Sequence, residues 1–111
     1  MSRWYRLEGK IPVPATENQF EEIFDEVTRR VGYAELPNGG SVSTVFLGLD
    51  HSHGGDKPVL FESMYFPNAD GMQEDDCERY HTWKEAEEGH RRMVIKYGGT
   101  ETVLDEGLFT I

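Results

Sequence analysis

The sequence predicts an α+β fold: two helices packed on one face of a mostly antiparallel sheet, in the order β-α-β-β-α-β. Three observations lead there. Two segments carry apolar residues at helical spacing behind capping boxes, two β-rich apolar runs flank a short polar loop between them, and strand-like segments open and close the chain. A ferredoxin-like split βαβ arrangement is the simplest topology with that order. At 111 residues the chain reads as one domain, 1–111, long enough to hold a core without disulfides or metal.

The opening segment, Trp4 to Lys10, alternates loosely as a strand does, and Pro12 and Pro14 then stop it and force an extended stretch. Thr16 and Gln19 form a capping box, each placed to satisfy the other's backbone amide. Behind it Phe20, Ile23, Phe24, Val27 and Val31 recur at helical spacing, which predicts a helix over 17–31 with acids early, bases late and Gly32 as its stop. Pro37 to Gly40 reads as a loop. Ser41 to Leu49 and Val59 to Phe66 then read as an antiparallel hairpin, because the loop between them is too short for a helical crossover. Pro67 to Glu78, rich in acids, reads as a mobile surface loop.

Thr82 and Glu85 make a second capping box. Trp83, Ala86, His90, Met93, Val94 and Tyr97 share the apolar face of the helix that follows, and Gly98-Gly99 ends it. The tail has strand character on either side of Asp105-Glu106-Gly107, as a kinked strand or a tight hairpin.

The net charge is −10, from 21 acidic and 11 basic residues. Direct nucleic-acid binding needs a basic footprint, and this chain carries the reverse. Cys77 is the single cysteine, Met1 to Lys10 lacks the apolar stretch of a signal peptide, and no apolar run approaches the roughly 18 residues of a membrane span. The expectation is a cytoplasmic protein with no membrane partner.

Several stretches resemble a family of small uncharacterised proteins encoded by bacteriophages and prophages. They are Trp4 to Leu7, Val42 to His51, Leu60 to Met64, Glu78 to Tyr80, Thr82-Trp83, Glu85-Ala86 and Gly89-His90. Together they cover about a quarter of the chain. His53 and the acidic connection after Pro67 depart from the pattern. The resemblance implies a phage setting, hence the host cytoplasm, and brings no reaction with it.

Candidate sites are few. Asp50, His51 and His53, with Glu62 on the partner strand and His90 or His81 nearby, could ligate a divalent transition metal, since imidazole and carboxylate suit zinc or iron. Glu62 lies within an apolar strand, where its charge must either meet water or an arginine, or shift its pKa. His90 lies on an apolar helix face, where a histidine either fixes packing through a hydrogen bond or acts as a ligand. Cys77 sits among acids, which disfavour a reactive thiolate. Trp83, Tyr80, Trp4 and Tyr5 could form an aromatic binding surface; the other reading is that Trp83, following the N-cap, anchors the second helix to the sheet.

The chain contains no P-loop, G-x-S-x-G or C-x-x-C. These readings favour a non-enzymatic, cofactor-free phage accessory protein that binds a protein partner bearing a basic, nucleic-acid-binding surface, as a counter-defence protein would. The acids assigned to that contact are Glu21, Glu22, Asp25 and Glu26 on the first helix and Asp70, Glu74, Asp75, Asp76 and Glu78 in the acidic connection. The alternative is a small metal-binding or metal-dependent hydrolase domain using His51, His53, Glu62 and His90. Oligomeric state is left open, a homodimer through a free sheet edge being one form.

Overall fold

The computed structural model describes residues 3–22, 29–67, 75–100, 102–104 and 109–110. It is α+β, with two antiparallel sheets and two helices among the described residues. The opening strand β1 (Trp4–Glu8) does not join the main sheet. It forms a hairpin with β2 (Ile11–Ala15), in register from Trp4↔Ala15 to Glu8↔Ile11. The prolines therefore do not end β structure. Tyr5 faces Pro14 and Leu7 faces Pro12 in a strand with one neighbour only, where a missing N–H costs no ladder bond.

Helix α1 (Glu17–Glu22) starts as expected, with the Gln19 amide donating to Thr16 Oγ1 at 3.2 Å and the Thr16 amide donating to Gln19 Oε1 at 3.0 Å. The expected extent to residue 31 is corrected. Arg30–Glu35 is strand β3, and Val31 is a buried residue of the sheet. Gly32 is no helix stop but part of that strand. Ile23, Phe24, Asp25, Glu26 and Val27 lie outside the described residues.

The main sheet has the order β6-β5-β4-β3-β7-β8, where β4 is Ser41–Phe46, β5 Phe61–Phe66, β6 Asp76–Tyr80, β7 Thr102–Leu104 and β8 Phe109–Thr110. Every neighbouring pair is antiparallel. The expected β4–β5 hairpin is present, from Ser41↔Phe66 to Phe46↔Phe61. The tail is a hairpin, with Val103 opposite Phe109.

The ferredoxin-like order is not the one found. Four strands follow one another as a meander, and helix α2 (Trp83–Lys96) crosses the sheet to bring β7 beside β3. β3 and β6 were not legible as strands, each for its own reason. β6 reads Asp-Cys-Glu-Arg-Tyr, with charges where strand propensity wants apolar residues, and β3 continues directly from a helical pattern.

Helix α2 carries the expected capping box and ends in a Schellman motif. The Gly99 amide donates to the Val94 carbonyl at 2.8 Å and the Gly98 amide to that of Ile95 at 3.1 Å. Its buried face meets β3 to β6 through two apolar clusters. One gathers Val31, Phe46, Leu60, Phe61, Trp83 and Ala86, with Tyr5 and Leu7 of the hairpin against it. The other gathers Ala34, Leu36, Val42, Tyr65, Met93 and Val94. The Phe61 and Trp83 rings meet edge-on, and Tyr65 and Tyr97 stack 3.6 Å apart. Among the described residues no helix is long and apolar enough to cross a membrane.

Gly89 lets α2 approach β6, because a Cβ there would collide with the ring and hydroxyl of Tyr80. Replacing a helical glycine by alanine ordinarily stabilises by up to about 1 kcal/mol. Here Gly89→Ala should instead destabilise by about 1–3 kcal/mol through overpacking, read as a lowered urea midpoint with an unchanged slope.

Candidate functional site

Between the two apolar clusters lies a transverse polar layer, one residue from each element. On β4, Thr44 sits between Val42 and Phe46; on β5, Ser63 sits between Phe61 and Tyr65; on α2, His90 sits between Ala86 and Met93. All three are fully buried. Thr44 Oγ1 lies 2.6 Å from His90 Nδ1 and 2.5 Å from Ser63 Oγ. Ser63 is hydrogen-bonded in turn to the Tyr80 hydroxyl, which donates to Glu78 Oε1 at 3.1 Å, and Arg92 reaches the same oxygen at 3.3 Å.

Proton counting gives this chain a direction. Each hydroxyl has one hydrogen. That of Tyr80 goes to Glu78, so Ser63 must donate to Tyr80. Thr44 must then donate to Ser63, and the hydrogen between Thr44 and His90 must sit on Nδ1. The result is a run of donors, His90 to Thr44 to Ser63 to Tyr80, ending on a carboxylate and fixing the His90 tautomer. Burial, with Arg91 adding to it, pushes the imidazole pKa from its ordinary 6.5 down to about 4. Burial, with Glu78 adding to it, pushes the Tyr80 phenol up to about 12. The layer thus holds a neutral histidine and a protonated tyrosine at neutral pH. With His90, Thr44 and Ser63 fully enclosed, no substrate touches them in this conformation, and what they do is fix the register of helix on sheet.

Gly32 belongs to the same layer. A Cβ there would come within 2.8 Å of His90 Cδ2 and Nε2, so the glycine makes room for the ring. A shift of register between Arg30 and Gly32 lets Val31 join the core as well.

The proposed metal residues do not converge. Residues 62 and 63 point to opposite faces of β5, so Glu62 lies on the face away from His90. There it accepts from Arg79 Nε at 2.8 Å and Cys77 Sγ at 3.2 Å, the arginine pairing that was one of its two expected fates. His53 is exposed at φ 56°, in the turn beyond β4. Asp50 closes that loop, accepting from the Ser52 amide at 2.8 Å, the Val59 amide at 3.0 Å and the Ser52 hydroxyl at 3.0 Å. Burial alone would raise its pKa, but those bonds outweigh it and hold the carboxyl below 3.8. Among the described residues no three His, Cys, Asp or Glu side chains form a group that could hold a metal ion. His51 and His81, however, line one open groove of about 450 Å³ beside Pro58 and Val59.

The acids divide as well. Asp76 accepts from Lys96 at 2.8 Å and from the Tyr97 hydroxyl at 2.7 Å, and these bonds hold its carboxyl below 3.8. Asp76 and Glu78 are therefore part of the helix–sheet seam and not of a mobile loop. Asp75 is exposed, and Glu21 and Glu22 close α1. Asp70 and Glu74, like Asp25 and Glu26, lie outside the described residues. Thr44 and Ser63 were not singled out from the sequence, and Tyr80 entered only as one of four aromatics. The available signal was a hydroxyl residue two positions from an apolar neighbour on either side, on the helix-facing parity of two strands.

No family model, curated protein or solved structure matches this chain.

The folded His90 pKa lies below the unfolded one, so on acidification the unfolded chain takes up the proton first. Stability is complete above pH 6.5 and is lost as pH falls toward 4, by about 3 kcal/mol. Urea titrations across that window should show this loss in the native chain and a much flatter profile in His90→Gln. Thr44→Val, which leaves the His90 N–H and a Ser63 lone pair unmatched, should cost about 1–3 kcal/mol at neutral pH by the same assay.

Proposed function

We propose that the chain is a phage accessory protein that binds a basic macromolecular partner, without catalysis of its own. Its target is a host or phage protein whose nucleic-acid-binding surface it occupies, in the manner of a counter-defence factor. The observation that supports this reading is the charge of −10 on a small chain, together with exposed carboxylates at Glu8, Glu17, Glu35, Asp56, Asp75, Glu85 and Glu88. A surface of that sign steers a positively charged groove toward it and speeds encounter. The resemblance to phage-encoded proteins sets the cellular context, the cytoplasm of an infected host.

Two of the acids read from the sequence are set aside from the partner contact. Asp76 and Glu78 already neutralise Lys96 and Arg92. The stretch 21–26 (Glu21, Glu22, Asp25, Glu26) and the stretch 70–75 (Asp70, Glu74, Asp75) are the segments to test.

Co-purification from infected cells at low salt should recover a nucleic-acid-binding protein. It should be displaced by added DNA or RNA and weaken steeply as salt shortens the screening length to about 8 Å. Lysine substitutions at Glu21, Glu22, Asp25 and Glu26 should abolish the capture while leaving thermal unfolding nearly unchanged. Capture that tolerates charge reversal on both segments, or that ignores salt and competing nucleic acid, would contradict the proposal.

A further inference from the structure

His51 and His81 are set up alike. Each ring's Nδ1 lies at hydrogen-bonding distance from a backbone carbonyl, Leu49 O at 2.7 Å for His51 and Pro58 O at 2.9 Å for His81. A carbonyl can only accept, so each Nδ1 carries the hydrogen, and in the neutral ring the lone pair is left on Nε2. Metal-bound histidines are held in this way, the outer N–H tied to a carbonyl or carboxylate so that ring orientation and tautomer are fixed before the ion arrives.

The two rings belong to segments far apart in sequence. The β4–β5 loop is closed at its base by Asp50 and by the His51 amide donating to the Val59 carbonyl at 3.0 Å, while His81 binds the carbonyl of the preceding residue. One two-residue stretch, Pro58-Val59, therefore anchors both histidines at the rim of the same groove. Asp56 and Ser52 line that groove too; Lys57 opposes a cation there, and Asp56 beside it offsets the charge.

We propose that this groove binds a divalent transition metal of the zinc or copper class through His51 Nε2 and His81 Nε2, with water in the remaining positions. Two imidazoles and no thiolate favour Cu²⁺ over Zn²⁺ and both over Mn²⁺. With no third protein ligand among the described residues, the site is an exchangeable one with open positions and not a structural centre. It uses neither Glu62 nor His90, and it is separate from the partner contact proposed above, so either proposal can fail without the other.

The test is Zn²⁺ titrated into the full chain after chelator treatment, above neutral pH, followed by long-range ¹⁵N–¹H correlation of the imidazole nitrogens. In the metal-free protein His51 and His81 should both show a protonated Nδ1 and a bare Nε2. Zn²⁺ should move their two Nε2 signals together with one midpoint, leaving His53 and His90 in place. His51→Ala and His81→Ala should each weaken binding at least about tenfold, and His53→Ala should not. Because the signals of the unsubstituted chain already decide the question, a variant that folds poorly does not blunt it. Separate midpoints for the two histidines, an equal response at His53, or no response in large excess of Zn²⁺ would overturn the proposal.

Discussion

The seating of His90 in the helix–sheet interface is the constraint on which the rest of the structure depends. A buried imidazole must be neutral and hydrogen-bonded, or it costs several kcal/mol. Thr44 supplies the bond at 2.6 Å, Ser63 supplies Thr44, and the chain runs out to Glu78 and Arg92 at the rim. Sliding α2 along the sheet by one turn would carry His90 away from Thr44 and leave polar atoms stranded among apolar ones. The apolar clusters on either side drive burial, but burial is non-directional. The polar layer selects one register from those that apolar packing alone would tolerate.

The glycines follow from the same demand. Gly32 gives space to the His90 ring, and Gly89, one residue before it, lets the helix descend onto Tyr80. Tyr80 closes one apolar cluster with its ring and extends the polar layer with its hydroxyl. Asp76 ties the far end of the helix through Lys96 and Tyr97. These acids on the helix side of β6 belong to the seam, which is why the chain's negative charge cannot all be counted as surface offered to a partner.

What the sequence revealed depended on whether the signal was local. Both capping boxes, the apolar face of α2, the central hairpin and the glycine stop at residues 98–99 follow from spacing and backbone chemistry within a few residues, and the structure has each of them. β3 was hidden because Val31 fits a helical stripe as well as a strand, and only pairing with β4 and β7 decides between them. β6 was hidden because its acids suggest a loop until Lys96, Arg92 and Tyr97 arrive from the helix to neutralise them. His90 was legible as an oddity. Its partners were not, because Thr44 and Ser63 look ordinary in a strand and become a site only when two strands and a helix meet. The metal reading centred on neighbours in sequence, His51 and His53, with Glu62 and His90 or His81 added; in the structure His51 shares a groove with His81 and not with Glu62 or His90.

The most direct test of the account is the protonation state of His90 itself, read from its two ring ¹⁵N shifts during an acid titration of the native chain. The polar layer requires a neutral ring with hydrogen on Nδ1 and none on Nε2, resisting protonation until about pH 4. A ring protonated on Nε2 alone, or one titrating near the ordinary 6.5 while the protein stays folded, would contradict it.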